Sequence, residues 1–167
     1  MIIVVMGVSG CGKSTIASHI AELLGAHFKD ADELHPEKNI QLMSNGTPLT
    51  DADRLPWLQD VRAYAAKQQD SHDICVIACS ALKQSYRELL RQAPNVYFVF
   101  LKGDKQMISQ RMHLRSGHFM HESMLDSQFE ALESPENEPL VVTVDITPAP
   151  DVIAKNAVTA MRDASYL

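Results

Sequence analysis

Gly7-Val8-Ser9-Gly10-Cys11-Gly12-Lys13-Ser14 reads G-x-x-x-x-G-K-S and follows directly on the apolar run Met1-Ile2-Ile3-Val4-Val5-Met6. The run reads as a buried strand. Ile16, Ile20, Leu23 and Leu24 recur at helical spacing behind it, in a helix closed by Gly25. Strand, glycine-rich turn and helix in that order make a phosphate-binding P-loop rather than a chance string. The glycines let successive backbone N–H groups curl around an anion, because a Cβ would block the oxygens. The helix N-terminus adds partial positive charge. The motif therefore places Gly7, Val8, Ser9, Gly10, Cys11, Gly12, Lys13, Ser14 and Thr15 around the phosphates of a nucleoside triphosphate. Lys13 reaches the β/γ-phosphates and the Ser14 hydroxyl is placed to ligate Mg²⁺.

The remaining chain repeats the strand–helix alternation. Strands are expected at Ile74–Ala78, Val96–Leu101 and Leu140–Val144, with a weaker one at His27–Lys29. Helices are expected at Ala81–Gln92 with Ser80 as N-cap, Lys105–Arg115, Ser123–Leu132 and Asp151–Asp163. Such alternation predicts βαβ units, a mostly parallel sheet and an α/β fold. Pro36–Ser44 reads as a short helix ending at Asn45-Gly46. After it, Thr50-Asp51-Ala52-Asp53 has the form of a capping box, while Pro56 also suits the first turn of a helix reaching Gln69. The sequence leaves that start open. Pro148-Ala149-Pro150 reads as a connector.

The 167 residues suffice for one domain with a substantial core. A formal net charge of −6 argues against general attraction to nucleic acid or an anionic membrane, so any anion is held by a local cluster. With a strand opening the chain and no apolar run of membrane-spanning length, neither a signal peptide nor a membrane anchor is expected. Cys11, Cys75 and Cys79 are odd in number and form no C-x-x-C pair, which fits free thiols in a cytoplasmic protein.

Phosphoryl transfer needs a metal shell, a positioned acceptor and positive charge besides the cradle. The third apolar segment runs into Cys79-Ser80 without an acid, which directs attention to Asp30-Ala31-Asp32 after the second strand. Carboxylates at i and i+2 of an extended chain point the same way. Asp30 is then a candidate for the Mg²⁺ shell and Asp32 for taking the acceptor hydroxyl's proton. Arg111 and Arg115, one helical turn apart before Ser116-Gly117, suit a lid closing over phosphates. Lys83 and Arg87, also one turn apart, and Arg54 are candidates for an acidic substrate. Trp57 reads as a packing anchor before a sugar-stacking platform. His118 and His121 have no partner at metal-ligand spacing.

Several segments together resemble the gluconokinase family. They are Asp30-Ala31-Asp32-Glu33-Leu34-His35-Pro36, Asn39, Met43, Gly46-Thr47-Pro48-Leu49, Asp51, Asp53-Arg54 and Pro56-Trp57-Leu58. Cys79-Ser80-Ala81-Leu82-Lys83, Tyr86-Arg87, Leu101-Lys102-Gly103-Asp104, Gly117-His118-Phe119 and Ser127-Gln128-Phe129-Glu130-Ala131-Leu132-Glu133 extend the match to about Asp145. The resemblance implies a nucleoside-monophosphate-kinase-like, three-layer αβα P-loop NTPase fold with a five-stranded parallel sheet of order 2-3-1-4-5. It implies one kinase domain over 1–167, with a substrate-binding insertion at about 33–70 and a lid at about 111–123. The implied activity is ATP- and Mg²⁺-dependent phosphorylation of D-gluconate to 6-phosphogluconate for the pentose phosphate or Entner–Doudoroff routes, often by a homodimer. Lys13, Asp32, Arg111 and Arg115 are the implied catalytic groups, and Asp32, His35, Arg54, Lys83, Arg87 and His118 the implied substrate contacts.

Three positions depart from the family pattern. Ala31 stands where glycine is usual, Lys29 where an apolar residue is usual, and Cys11 where serine is common. Ala31 would be strained if that position required positive φ. A shikimate-like kinase is the nearest rival, since it also carries paired aspartates after the second strand, and a nucleoside monophosphate kinase lies further off. The Asn-Lys-x-Asp string of a GTPase does not occur. A gluconate sensor without turnover is the alternative outside the enzymes.

Overall fold

A computed structural model describes residues 1–71, 73–114 and 122–167. β1 (Ile2–Met6) leads through the P-loop to α1 (Lys13–Leu24), and β2 (His27–Asp30) passes into a 3-10 turn at Ala31–Leu34. Helices α2 (Glu37–Ser44) and α3 (Asp51–Gln69) precede β3 (Cys75–Ala78), α4 (Gln84–Leu90) and β4 (Val96–Lys102). Next come α5 (Lys105–Leu114), α6 (Glu122–Ala131), β5 (Val141–Asp145) and α7 (Pro150–Asp163). The strands form one five-stranded sheet in the order β2-β3-β1-β4-β5, every pairing parallel. This is the expected topology.

Alternation along β1 divides the core between the two faces of the sheet. Ile3 and Val5 pack with Ile16, Ile20, Ile153 and Ala157 of α1 and α7. Ile2, Val4 and Met6 pack with Trp57, Leu58, Val61 and Leu90 of α3 and α4. Both faces are covered, which explains the near-continuous apolar runs of β1 and β4. Because β1 lies between β3 and β4, the crossovers diverge at its carboxyl end and leave a crevice there. The P-loop sits in that crevice.

The open start of α3 is resolved in favour of the capping box. Thr50 Oγ1 accepts from the Asp53 amide at 3.1 Å and Asp53 Oδ2 accepts from the Thr50 amide at 2.9 Å, leaving Pro56 inside the helix. The expected start of α4 is corrected. Ser80 does not cap it; Ala81 takes φ 45°, and the helix begins at Gln84 with Lys83 in the N-cap position. Arg87 stabilises this late start by donating to the carbonyl oxygens of Ala81 and Leu82. Among the described residues no helix is long and apolar enough to cross a membrane.

Candidate active site

Gly10 (φ 81°) and Gly12 (φ 90°) give the P-loop its curl. A Cβ on Gly10 would stand 2.8 Å from Met112 Cγ, so a side chain there would have to displace Met112 as well as adopt a strained positive φ. Gly12 caps α1, whose first turn carries no acidic residue, and the helix presents its positive end unopposed. Lys13 Nζ donates to the Val8 carbonyl at 3.1 Å. Ser14 Oγ donates to Asp30 Oδ2 at 2.5 Å, while Asp30 Oδ1 accepts the Asp32 amide at 2.9 Å. Asp30 thus ties the second strand to the cradle and caps the turn that presents Asp32.

The Ser14 hydroxyl and Asp30 carboxylate are hard oxygen donors at the rim of a phosphate site, a set that fits Mg²⁺. Among the described residues, no group of three or more His, Cys, Asp or Glu side chains is arranged around a metal. Mg²⁺ retains water and phosphate oxygens and takes few protein ligands, so these two oxygen donors suffice for it.

Beside the cradle lies a cleft of about 280 Å³. Lys13, Asp32, Arg54 and Gln128 supply its polar side, while Ile40, Met43, Leu49 and Met124 line the apolar one. Asp32 faces the opening, its side chain 75% exposed, yet protein crowds it from the sides. That partial loss of solvent raises its carboxyl pKa; Lys13 opposes the shift and Asp30 reinforces it. A carboxylate raised in this way is the stronger base toward a hydroxyl.

His35 lies flat on Trp57, with ring centroids 4.0 Å apart and planes 15° from parallel. Trp57 Nε1 donates to the Ala31 carbonyl at 2.7 Å, so the tryptophan braces the turn that carries Asp32. Burial, followed by the charge of Arg54, lowers the His35 pKa to about 4. The ring is therefore neutral near neutral pH, and its Nε2, 3.9 Å from Asp32 Oδ1, makes no ion pair there.

Arg54 is buried at the cleft wall and donates from Nη1 to the Tyr86 hydroxyl at 3.3 Å. Tyr86 donates in turn to Asp51, which also accepts from Lys83 Nζ at 2.8 Å. Hydrogen bonds from Lys83 and then Tyr86 hold the Asp51 carboxyl below the usual range. This network steadies one edge of the Arg54 guanidinium and leaves the rest for the cleft.

On the other side of the P-loop is a second cavity of about 410 Å³. Gly10, Gly12 and Thr15 border it with Arg111 and the Thr147-Pro148-Ala149 loop that follows β5. Arg111 donates to the Thr147 carbonyl at 3.2 Å. Two cavities flanking one phosphate cradle are the arrangement of a donor–acceptor phosphotransferase.

The known proteins agree with that geometry. The profile of the family described as Shikimate kinase matches residues 9–155. The chain is 49% identical over 148 residues to the thermoresistant gluconokinase of Escherichia coli K12, covering 86% of this chain and 85% of that one. The chain belongs to the gluconokinase family. A solved gluconokinase from Sinorhizobium meliloti 1021 superposes with a TM-score of 0.87 at 46% identity, covering 97% of this chain and 91% of the other. A shikimate kinase from Aquifex aeolicus shares the fold at a TM-score of 0.71 and 14% identity. Membership of a P-loop kinase family carries with it the use of ATP.

Within this gluconokinase scaffold, Lys13, Asp32, His35 and Arg54 converge on one cleft, with Ser14 and Asp30 at its rim. Arg111 belongs to the opposite cavity. Arg115 and His118 lie outside the described residues. Arg87 departs from its expected role as a substrate contact. It is 0% exposed, paired with Glu138 at 2.5 Å and bonded to the Glu133 carbonyl at 2.9 Å, so its guanidinium is consumed inside the protein. Lys83 precedes α4 in an extended conformation and shares no helix face with Arg87.

The departures from the gluconokinase pattern are absorbed locally. Ala31 is buried and avoids positive φ. Lys29, on the edge strand, pairs with Glu33 at 2.7 Å. Cys11 is buried, with its sulfur 2.8 Å from where a Gly7 Cβ would stand. Sequence reasoning missed Gln128, Ser80 and Asn39, as well as the Thr147 loop, which read only as a connector. The Ser-Gln-Phe-Glu segment gave the one available signal for Gln128.

Proposed function

We propose that this chain transfers the γ-phosphoryl group of ATP to the 6-hydroxyl of D-gluconate, giving 6-phosphogluconate. The placement of Asp32 opposite Lys13, in a cleft with Arg54 in its wall, carries this reading. A cleft of about 280 Å³ suits one small polyhydroxy acid and is small for a nucleotide acceptor. The names of the relatives supply the substrate class.

The nucleoside end occupies the cavity bordered by Thr15, Arg111 and the Thr147 loop, and the phosphates lie in the cradle. Lys13 exchanges the Val8 carbonyl for phosphate oxygens and neutralises charge that grows during transfer. Ser14 and Asp30 would hold Mg²⁺, which supplies charge neutralisation at the phosphates. Arg54, fixed by Tyr86, takes the gluconate carboxylate and sets the register of a flexible chain. Asp32 orients the primary hydroxyl and accepts its proton as the bond to phosphorus forms. His35 and the apolar wall limit water around the acceptor. Arg115 and His118 retain their expected lid and substrate roles as part of this proposal.

The test is ADP release with ATP·Mg²⁺ and D-gluconate, run beside shikimate, other aldonates, hexoses and nucleoside monophosphates. The expected result is turnover with gluconate and identification of 6-phosphogluconate. Turnover with shikimate in place of gluconate overturns the assignment.

A further inference from the structure

Gln128 on α6 bridges the two halves of the site. Its Oε1 accepts from the Ser9 amide and from the Ser9 hydroxyl, both at 3.2 Å. A backbone N–H can only donate, so the side-chain amide has one orientation, with oxygen toward the cradle. Gln128 is 7% exposed and borders the acceptor cleft with Lys13 and Asp32. Its Nε2 has no partner among the described residues. The side chain is nearly buried and lines the acceptor cleft, so a ligand there that brings an acceptor oxygen would pair this donor.

We propose that Gln128 is a specificity-determining residue that reads a chain hydroxyl of the acceptor. Nε2 donates to one hydroxyl oxygen of gluconate, while Oε1 keeps Ser9 of the phosphate loop in place. A sugar-acid hydroxyl matches this neutral donor. The phosphates are already served by Lys13 and the backbone N–H groups of the cradle. Acceptors lacking the matching oxygen would leave Nε2 unpaired and be rejected on that account. The inference rests on the gluconokinase reading.

Steady-state kinetics of Gln128→Met and Gln128→Glu, with D-gluconate and its monodeoxy analogues, tests it. Gln128→Glu keeps an acceptor for Ser9 and removes the donor. Both variants are expected to raise KM for gluconate by about tenfold or more, and by a larger factor than KM for ATP, which the lost Ser9 contact in Gln128→Met and the added charge in Gln128→Glu also raise. One deoxy analogue should be discriminated against by the native protein and no longer by Gln128→Met. Nucleotide titration and thermal melting confirm that the variants fold. An unchanged deoxy pattern, or a loss confined to kcat and to KM for ATP, would overturn the proposal; the latter would mark a phosphate contact. Failure of the native protein to phosphorylate gluconate refutes the gluconokinase reading itself. The same comparison, using the acceptor that does react, then decides Gln128 separately.

Discussion

Asn39 Nδ2 lies 3.2 Å from His35 Nδ1 and 3.0 Å from the carbonyl oxygen of Asp53. A carbonyl oxygen can only accept, which fixes the orientation of the Asn39 amide and makes His35 Nδ1 an acceptor. Neutral His35 therefore carries its proton on Nε2, toward Asp32. Asn39→Leu removes this selection and the hydrogen bond that ties α2 to the first turn of α3. The expected outcome is a loss of about 0.5–1.5 kcal/mol in stability by urea unfolding. A several-fold rise in KM for gluconate, without a matching rise for ATP, should accompany it.

The His35 pKa of about 4 makes a signed prediction for stability. Between that value and the ordinary 6.5, the unfolded chain binds a proton that the folded protein does not, so stability rises with pH across this window. His35 contributes this loss as pH falls from 6.5 toward 4, at most about 3 kcal/mol in all. Unfolding titrations at several pH values should show a shallower acid limb for His35→Gln. An identical limb would remove His35 as the source.

Asp32→Asn is expected to lower kcat by at least about a hundredfold through loss of the proton acceptor. ATP affinity, read by nucleotide titration, should remain close to native because Asp32 lies outside the phosphate cradle. In the native protein, loss of solvent around Asp32 raises its pKa, which moves the acid limb of kcat/KM upward from that of an ordinary aspartate, and activity falls as pH drops through it. Unchanged turnover in Asp32→Asn would remove this residue from the mechanism.

Arg54→Lys keeps the charge but loses the planar fork that can hold a carboxylate while remaining bonded to Tyr86. KM for gluconate should rise about tenfold or more, with a smaller change in kcat. An uncharged polyol acceptor, by contrast, should be affected little.

Arg87→Met should act on the fold and not on acceptor recognition. It leaves the Glu138 carboxylate half-paired, with Arg91 as its remaining cation at 2.8 Å. Burial pushes the Glu138 pKa up, but Arg87 and then Arg91 outweigh this and hold it low. Removing one side of such a pair costs about 3–5 kcal/mol, and adding Glu138→Gln should recover part of it. Chemical unfolding of the single and double variants measures both effects.

The fold was legible because its signals are local. The apolar run before Gly7, the P-loop and the alternation of strands with helices can each be read within a short window. The start of α4 was not, since Ser80 has the form of a cap while Arg87 binds the carbonyls that hold the preceding loop open. Asp30 and Asp32 were expected to point the same way from an extended chain, but β2 ends at Asp30 and a 3-10 turn presents Asp32. Gln128 and Ser9 are 119 positions apart, and only the folded tertiary structure brings their elements together. Arg87 illustrates the reverse error: basic character suggested an anion site, but the guanidinium is spent on an internal carboxylate and three carbonyls.

The central place of β1 also sets a timetable for the nascent chain. Ile2 pairs in register with Cys75 on one side and Val96 on the other. Translation at about 5–20 residues per second therefore leaves the most apolar strand without its second neighbour for several seconds. The nucleotide loop, anchored at the end of that strand, has no finished support until then. Until β4 has been made, Ile2–Met6 keeps one edge unpaired and leaves apolar surface uncovered that the finished sheet hides.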